Sequence, residues 1–183
     1  MKKTVLTFGL LSGLVVSAMM ILTMPFIDQI GLDRGMVVGY ASMLAAFLLV
    51  YFGIRTYRDT VAGGTISFGR AFTVGALIAL IASVCYTVTW QVYYFGFDSD
   101  FTEKYTALTL ESARANGASP AELEQKAAEM KKFAEMYQNP LINAAYTLIE
   151  PLPLGLVVAL VSAGVLSRRR RDAAKTATVA QTV

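Results

Sequence analysis

The chain has 183 residues, 55% of them hydrophobic and 16% charged, and carries a formal net charge of +3. Its mean hydropathy is +0.52, and its charged share is well under the roughly 25% usual for soluble domains. Histidine is absent and Cys85 is the sole cysteine, which excludes histidine metal sites, Ser-His-Asp triads, Cys-His dyads and an intramolecular disulfide. Cys85 itself lies in an apolar run, the setting of a small, inert core residue.

Lys2 and Lys3 precede the first apolar run, Val5–Ile27. A signal peptide has an apolar region of roughly 7–15 residues and a small-residue cleavage site. This run is longer and Val16-Ser17-Ala18 is a poor site, so it predicts an uncleaved transmembrane helix. Gly9, Gly13 and Ser17 lie four apart and share one face. That spacing lets another helix approach closely, although glycine is also simply common in membrane helices. Pro25 and the segment Asp28–Gly35 predict a short polar turn. The second run, Met36–Phe52 and on to about Tyr57, reaches the roughly 20 residues that cross a hydrocarbon core.

Gly63-Gly64 predicts a tight turn, because glycine accepts positive φ without penalty. Ser67 is placed to cap the next helix. No Gly-Lys-Ser/Thr follows the glycines and no βαβ pattern surrounds them, which excludes a phosphate loop. Arg55, Arg58 and Arg70 are expected at lipid headgroups. The third run, Phe68–Phe97, is longer than the hydrocarbon core requires, so its ends tilt or protrude. Trp90, Tyr93 and Tyr94 near its end suggest an aromatic belt.

Residues 98–139 change character, with eight acidic and five basic side chains. Phe101, Tyr105, Leu108, Ser112 and Ala115 form one apolar stripe at helical spacing; Leu123, Ala127, Met130, Ala134 and Tyr137 form a second. Asn116-Gly117 ends the first helix, and Ser119-Pro120-Ala121-Glu122 opens the next with an N-cap, proline at N1 and glutamate at N3. The prediction is an antiparallel helical hairpin outside the bilayer, its stripes packed on one another or offered to a partner chain.

The fourth run starts after Asn139-Pro140 and stops at Arg168, Arg169, Arg170 and Arg171. These arginines are expected to anchor topology against anionic lipid rather than to bind nucleic acid. Residues 171–183 suggest a disordered cytoplasmic tail. Positive residues mark the cytoplasmic side of short loops. One side holds Lys2, Lys3, Arg55, Arg58, Arg70, Arg168 to Arg171 and Lys175, ten bases against two acids; the other holds six bases and ten acids. The sequence therefore predicts an all-α membrane protein: four transmembrane helices within 1–170, N-in and C-in, and an extracytoplasmic helical hairpin at 98–139 between helices 3 and 4.

Glu150 sits inside the fourth run, followed by Pro151 and Pro153, which lack amide protons and crowd the carbonyls of Thr147 and Ile149. Either one span from about Leu141 to Leu166 is kinked there, or an interfacial helix ends at Ile149 and a short span starts at Pro151. Both place Glu150 in the outer half, roughly 10 Å from mid-membrane. Tyr40, Thr87, Gln91, Asn143, Thr147 and, slightly higher, Thr23 should reach a similar depth. An ionisable group at that depth is a candidate functional site, here a polar pocket open to the outside. The alternative is a hydrated carboxylate at the interface, or one that caps the broken helix end.

The run Gly39-Tyr-Ala-Ser-Met43, the segments Tyr57-Arg-Asp59 and Gly63-Gly64-Thr-Ile-Ser-Phe-Gly69-Arg-Ala-Phe72, and Glu150-Pro-Leu-Pro153 together resemble a small bacterial inner-membrane family, domain of unknown function 4199. The resemblance spans roughly residues 1–170. It implies four helices in a bacterial cytoplasmic membrane and carries no activity or functional residue with it. From the residues, the leading expectation is a non-enzymatic protein that associates with itself or with a membrane-protein partner. The alternative is a small oligomeric transporter or channel using Glu150 at the broken helix. No cofactor, metal site or catalytic residue is expected, and the only other contacts are membrane lipids.

Overall fold

The structure, a computed structural model, describes the backbone of residues 1–97 and 100–180, and the side chains of that set except Asp28, Leu32 and 168–180. Its elements are α1 (Lys2–Thr23), a 3-10 turn (Met24–Phe26), α2 (Ile27–Ile30), α3 (Leu32–Thr60), α4 (Phe68–Gly96), α5 (Phe101–Ala115), α6 (Pro120–Tyr137), α7 (Pro140–Ile149) and α8 (Pro151–Ala180). Among the described residues there is no strand. Four helices are long and apolar enough to cross a membrane: Lys2–Phe26, Asp33–Thr60, Phe68–Gly96 and Pro140–Ser167.

Local chemistry sets the breaks. Pro25 tightens the end of α1 into the 3-10 turn. Gly63 and Gly64 both take positive φ, 69° and 86°, and let the chain reverse between α3 and α4. Ser67 holds the N-cap position of α4, but its side chain makes no cap hydrogen bond. Most of the expected polar turn at Asp28–Gly35 is helical instead, because α3 starts at Leu32, directly after Gly31. Glu150 keeps right-handed helical dihedrals, φ −66° and ψ −59°. The prolines therefore kink one nearly continuous rod, α7 into α8, and do not split it into an interfacial helix and a separate span. The backbone of α8 stays helical to Ala180; the expected tail and the Arg168–Arg171 anchors fall on residues whose side chains lie outside the described set.

The bundle is built around α4, whose Ala71, Val74, Ile78, Ala79 and Ala82 are fully buried. A Cβ at Gly9 would meet Ile81 at 2.8 Å, and one at Gly13 would meet Cys85 at 2.6 Å. One turn further, the Thr89 hydroxyl donates to Ser17 Oγ at 3.0 Å. This is the close approach that the small-residue face of α1 allows, and its register makes α1 and α4 parallel. On the far side Gly75 faces Ala159 and Gly155 faces Ala79, so α8 runs antiparallel to α4. Ser12 donates to the Ala46 carbonyl at 2.9 Å and Phe8 lies by Gly53, so α3 runs antiparallel to α1. Directions alternate along the chain. The turn at 61–67 shares one end of the bundle with the start of α1, and the α5–α6 hairpin shares the other end with α2.

In the hairpin, the stripe residues Phe101, Tyr105, Leu108 and Ser112 of α5 are partly buried, as are Leu123, Ala127, Met130 and Ala134 of α6, with Tyr137 buried. Ala115 is exposed. The Ser119 and Glu122 capping box is complete: Glu122 Oε2 accepts from the Ser119 amide at 2.7 Å, and Ser119 Oγ accepts from the Glu122 amide at 3.4 Å. The Ser119 amide and, at 2.8 Å, the Ser119 hydroxyl both donate to Glu122 Oε2 and hold that carboxyl below the usual carboxylate range.

Two outcomes follow. Gly13→Ala should lower the unfolding midpoint in detergent, with an overpacking cost of about 1–3 kcal/mol, whereas Gly164→Ala, where nothing lies within 4 Å, should leave it unchanged. Because the Glu122 carboxyl is depressed in the folded chain, its contribution is full above the unfolded value of roughly 4.3 and fades as pH falls through the lower folded one. Amide exchange at the start of α6 should therefore accelerate at acidic pH, and Glu122→Gln should flatten that dependence.

Candidate functional site

The hairpin end of α4 carries aromatic residues at steps of four: Tyr86, Trp90 and Tyr94. Trp90 and Tyr94 are each only 5% exposed, which corrects their reading as a lipid-facing belt. Trp90 packs edge-on against Phe101 of α5, ring centroids 4.8 Å apart. Tyr94 packs edge-on against Tyr137 at 5.4 Å. Their faces are consumed in seating the hairpin, so only Tyr93, partly buried, remains near the surface.

A hydrogen-bonded clasp reinforces that seat. Trp90 Nε1 donates to the Tyr137 hydroxyl at 3.0 Å. Thr147 uses its one proton on the Asn143 carbonyl at 2.8 Å, so the 3.3 Å contact between Tyr137 and Thr147 runs from the tyrosine to the threonine. Asn143, fully buried, accepts from Gln91 Nε2 at 2.9 Å and donates to the Tyr137 carbonyl at 3.3 Å. Burial raises the Tyr137 phenol above its ordinary value, so it stays protonated and able to donate. The Asn139 side chain caps α7 by accepting from the amides of Leu141 and Ile142, which fixes the turn that aims Asn143 inward.

In front of the clasp lies a cavity of about 420 Å³. Its walls are the hairpin-side parts of α1, α3, α4 and α7, roofed by α5 and α6. Five methionines line it, Met19, Met20, Met24, Met36 and Met43, together with rings that include Tyr40, Tyr86, Trp90, Phe101 and Tyr146. Glu150 faces this space, and Tyr86 donates to its Oε2 across 3.4 Å, a long hydrogen bond. Lys104 also lines the cavity but has an interaction of its own. Among the described residues no three acidic or cysteine side chains converge, so the site presents a single carboxylate and not a metal-ligand set.

The residues expected to form one pocket thus divide into two groups. Glu150, Tyr40, Thr147 and Thr23 line the cavity. Gln91 and Asn143 belong to the clasp behind it, and Thr147 joins both. Thr87 is buried and donates to the Ser83 carbonyl of its own helix, 2.9 Å away. Tyr86, the nearest partner of Glu150, was missed because depth alone selects Thr87; the four-residue aromatic spacing on α4 marks the inward face and would have found it. Of the expected headgroup anchors, Arg55 and Arg70 are exposed. Arg58 is not: its side chain is 6% exposed, and its Nε donates to Asp59 at 2.6 Å.

Tyr137→Phe should leave the buried Trp90 N–H without its acceptor, at a cost of about 1–3 kcal/mol. Amide exchange should then quicken across α5 and α6 while α1 keeps its protection.

The chain was compared with known proteins. No curated protein and no solved structure matches it. The model of one family, described as protein of unknown function (DUF4199), matches residues 7–168, a region that holds the spans, the kink at Glu150 and the hairpin over the cavity. The chain belongs to that family.

Proposed function

We propose that this is a non-enzymatic, multi-pass protein of a bacterial cytoplasmic membrane that takes up a small ligand from the outer side, into the cavity beneath the hairpin. The observation that carries the reading is a cavity of about 420 Å³ with one carboxylate on a mostly apolar and aromatic wall that also holds Lys104 and a few hydroxyls. That size falls in the range of small-molecule sites, which are mostly apolar with a few placed polar groups.

Orientation rests on charge. The end with the start of α1 and the 61–67 turn carries the basic excess, and the hairpin end carries the acidic one, which supports N-in, C-in with the hairpin outside. The features that favoured association are used internally: the glycine face of α1 meets α4, and the hairpin stripes are partly buried. A partner or a second copy would need other surfaces. A through-path is also poorly supported, because the inner halves of the helices are closed by contacts such as Gly75 with Ala159.

Both parts can be tested in a Cys85→Ser background with single cysteines. Ala128→Cys on the hairpin should react with an impermeant maleimide on intact cells, and Thr65→Cys in the 61–67 turn only after permeabilisation. Tyr40→Cys on the cavity wall should react from outside with a small methanethiosulfonate reagent, whereas Ala79→Cys in the closed half should not. The opposite maleimide pattern would invert the layout, and an unreactive Tyr40→Cys would remove the outward opening.

A further inference from the structure

The geometry points to a lipophilic organic cation, an ammonium on an apolar or aromatic body, as the ligand class of this cavity. The inference rests on the reading of the cavity as a ligand site and names its chemistry.

A carboxylate is acceptor-only and offers about four lone-pair positions. Among the described residues one protein group reaches Glu150, the Tyr86 hydroxyl, at 3.4 Å. No cationic side chain lies within ion-pair distance of it among those residues. Lys104, the one basic residue lining the cavity, is already engaged. Glu150 thus keeps most of its acceptor positions free of protein donors, and a cation that brings its own N–H donors into the cavity would fill them.

The rest of the wall suits the body of such a molecule. Electron-rich faces of tyrosine attract a cation within about 6 Å of the ring, and Tyr40 and Tyr86 line the space next to Glu150. Methionines accommodate irregular apolar shapes, and Met20 and Met43 supply that surface. An anion would meet the carboxylate and the negative ring faces together. A small hydrated inorganic cation would find one carboxylate, the other side-chain oxygens of the wall being neutral hydroxyls.

Trp90 is the only tryptophan of the chain, and it lines the cavity, so its fluorescence reports occupancy directly. The test uses purified full-length protein in mild detergent and three probes sharing one body: 4-phenylbutylammonium, 4-phenylbutanol and 4-phenylbutyrate. The expected order is ammonium over alcohol over carboxylate. Glu150→Gln should weaken the ammonium about ten- to a hundredfold, the loss of a charge-assisted hydrogen bond, and leave the alcohol unchanged. Tyr86→Phe, which keeps the carboxylate, should retain the ammonium preference and covers the case in which Glu150→Gln does not fold. Equal binding of all three probes, or tightest binding of the carboxylate, would overturn the cation class while leaving the cavity a ligand site. No response of Trp90 to any probe would overturn the ligand-site reading as well.

Discussion

Close approach of α1 and α8 to α4 is the constraint on which the rest depends. In hydrocarbon there is no water to expel between helices, so association comes from van der Waals contact and interhelical hydrogen bonds. Here the contacts are made where a side chain is missing: Gly9 and Gly13 beneath Ile81 and Cys85, and Gly75 and Gly155 beneath Ala159 and Ala79. Ser17 adds a hydrogen bond to the α1–α4 seam, and Ser12 adds one from α1 to α3, without adding bulk. The half of the bundle built this way has no room for a ligand.

The half on the hairpin side obeys the opposite rule. Beyond Ser17 and Ala79 the facing residues become large: Met20, Met43, Tyr86 and Trp90. Side chains of that size line the hairpin side of the bundle, and Glu150 stands at the junction of α7 and α8. The space that results is finished by the hairpin, fixed to α4 and α7 by the chain from Trp90 through Tyr137 and Thr147 to Asn143. The clasp satisfies its own polar groups, whereas Glu150, on the cavity wall, has one long hydrogen bond from Tyr86. That contrast separates structural polarity from polarity available to a ligand.

The sequence made much of this legible. Spans came from run length and turns from Gly63-Gly64, while the Ser119–Glu122 box announced the start of α6 through its spacing. The small-residue face of α1 was also readable, though not which helix it would meet. What was not readable was orientation about each helix axis. Depth can be counted along a helix at a fixed rise, but a neighbouring residue at the same depth points about 100° away. Thus Thr87 was read where Tyr86 belongs. Gln91 and Asn143 have the right depth but bond to each other. Trp90 and Tyr94 looked interfacial because the hairpin that covers them is far along the chain. Arg58 looked like a lipid anchor because its burial is tertiary.

The parallel seam between α1 and α4 also bears on biogenesis. Gly9 and Gly13 mate with residues about 70 positions further along, and domains emerge from the ribosome N-terminus first. When α1 and α3 enter the bilayer, the glycine seam of α1 has no mate and faces acyl chains. It closes only when α4 is inserted, and the roof of the cavity can seat only after α7 follows.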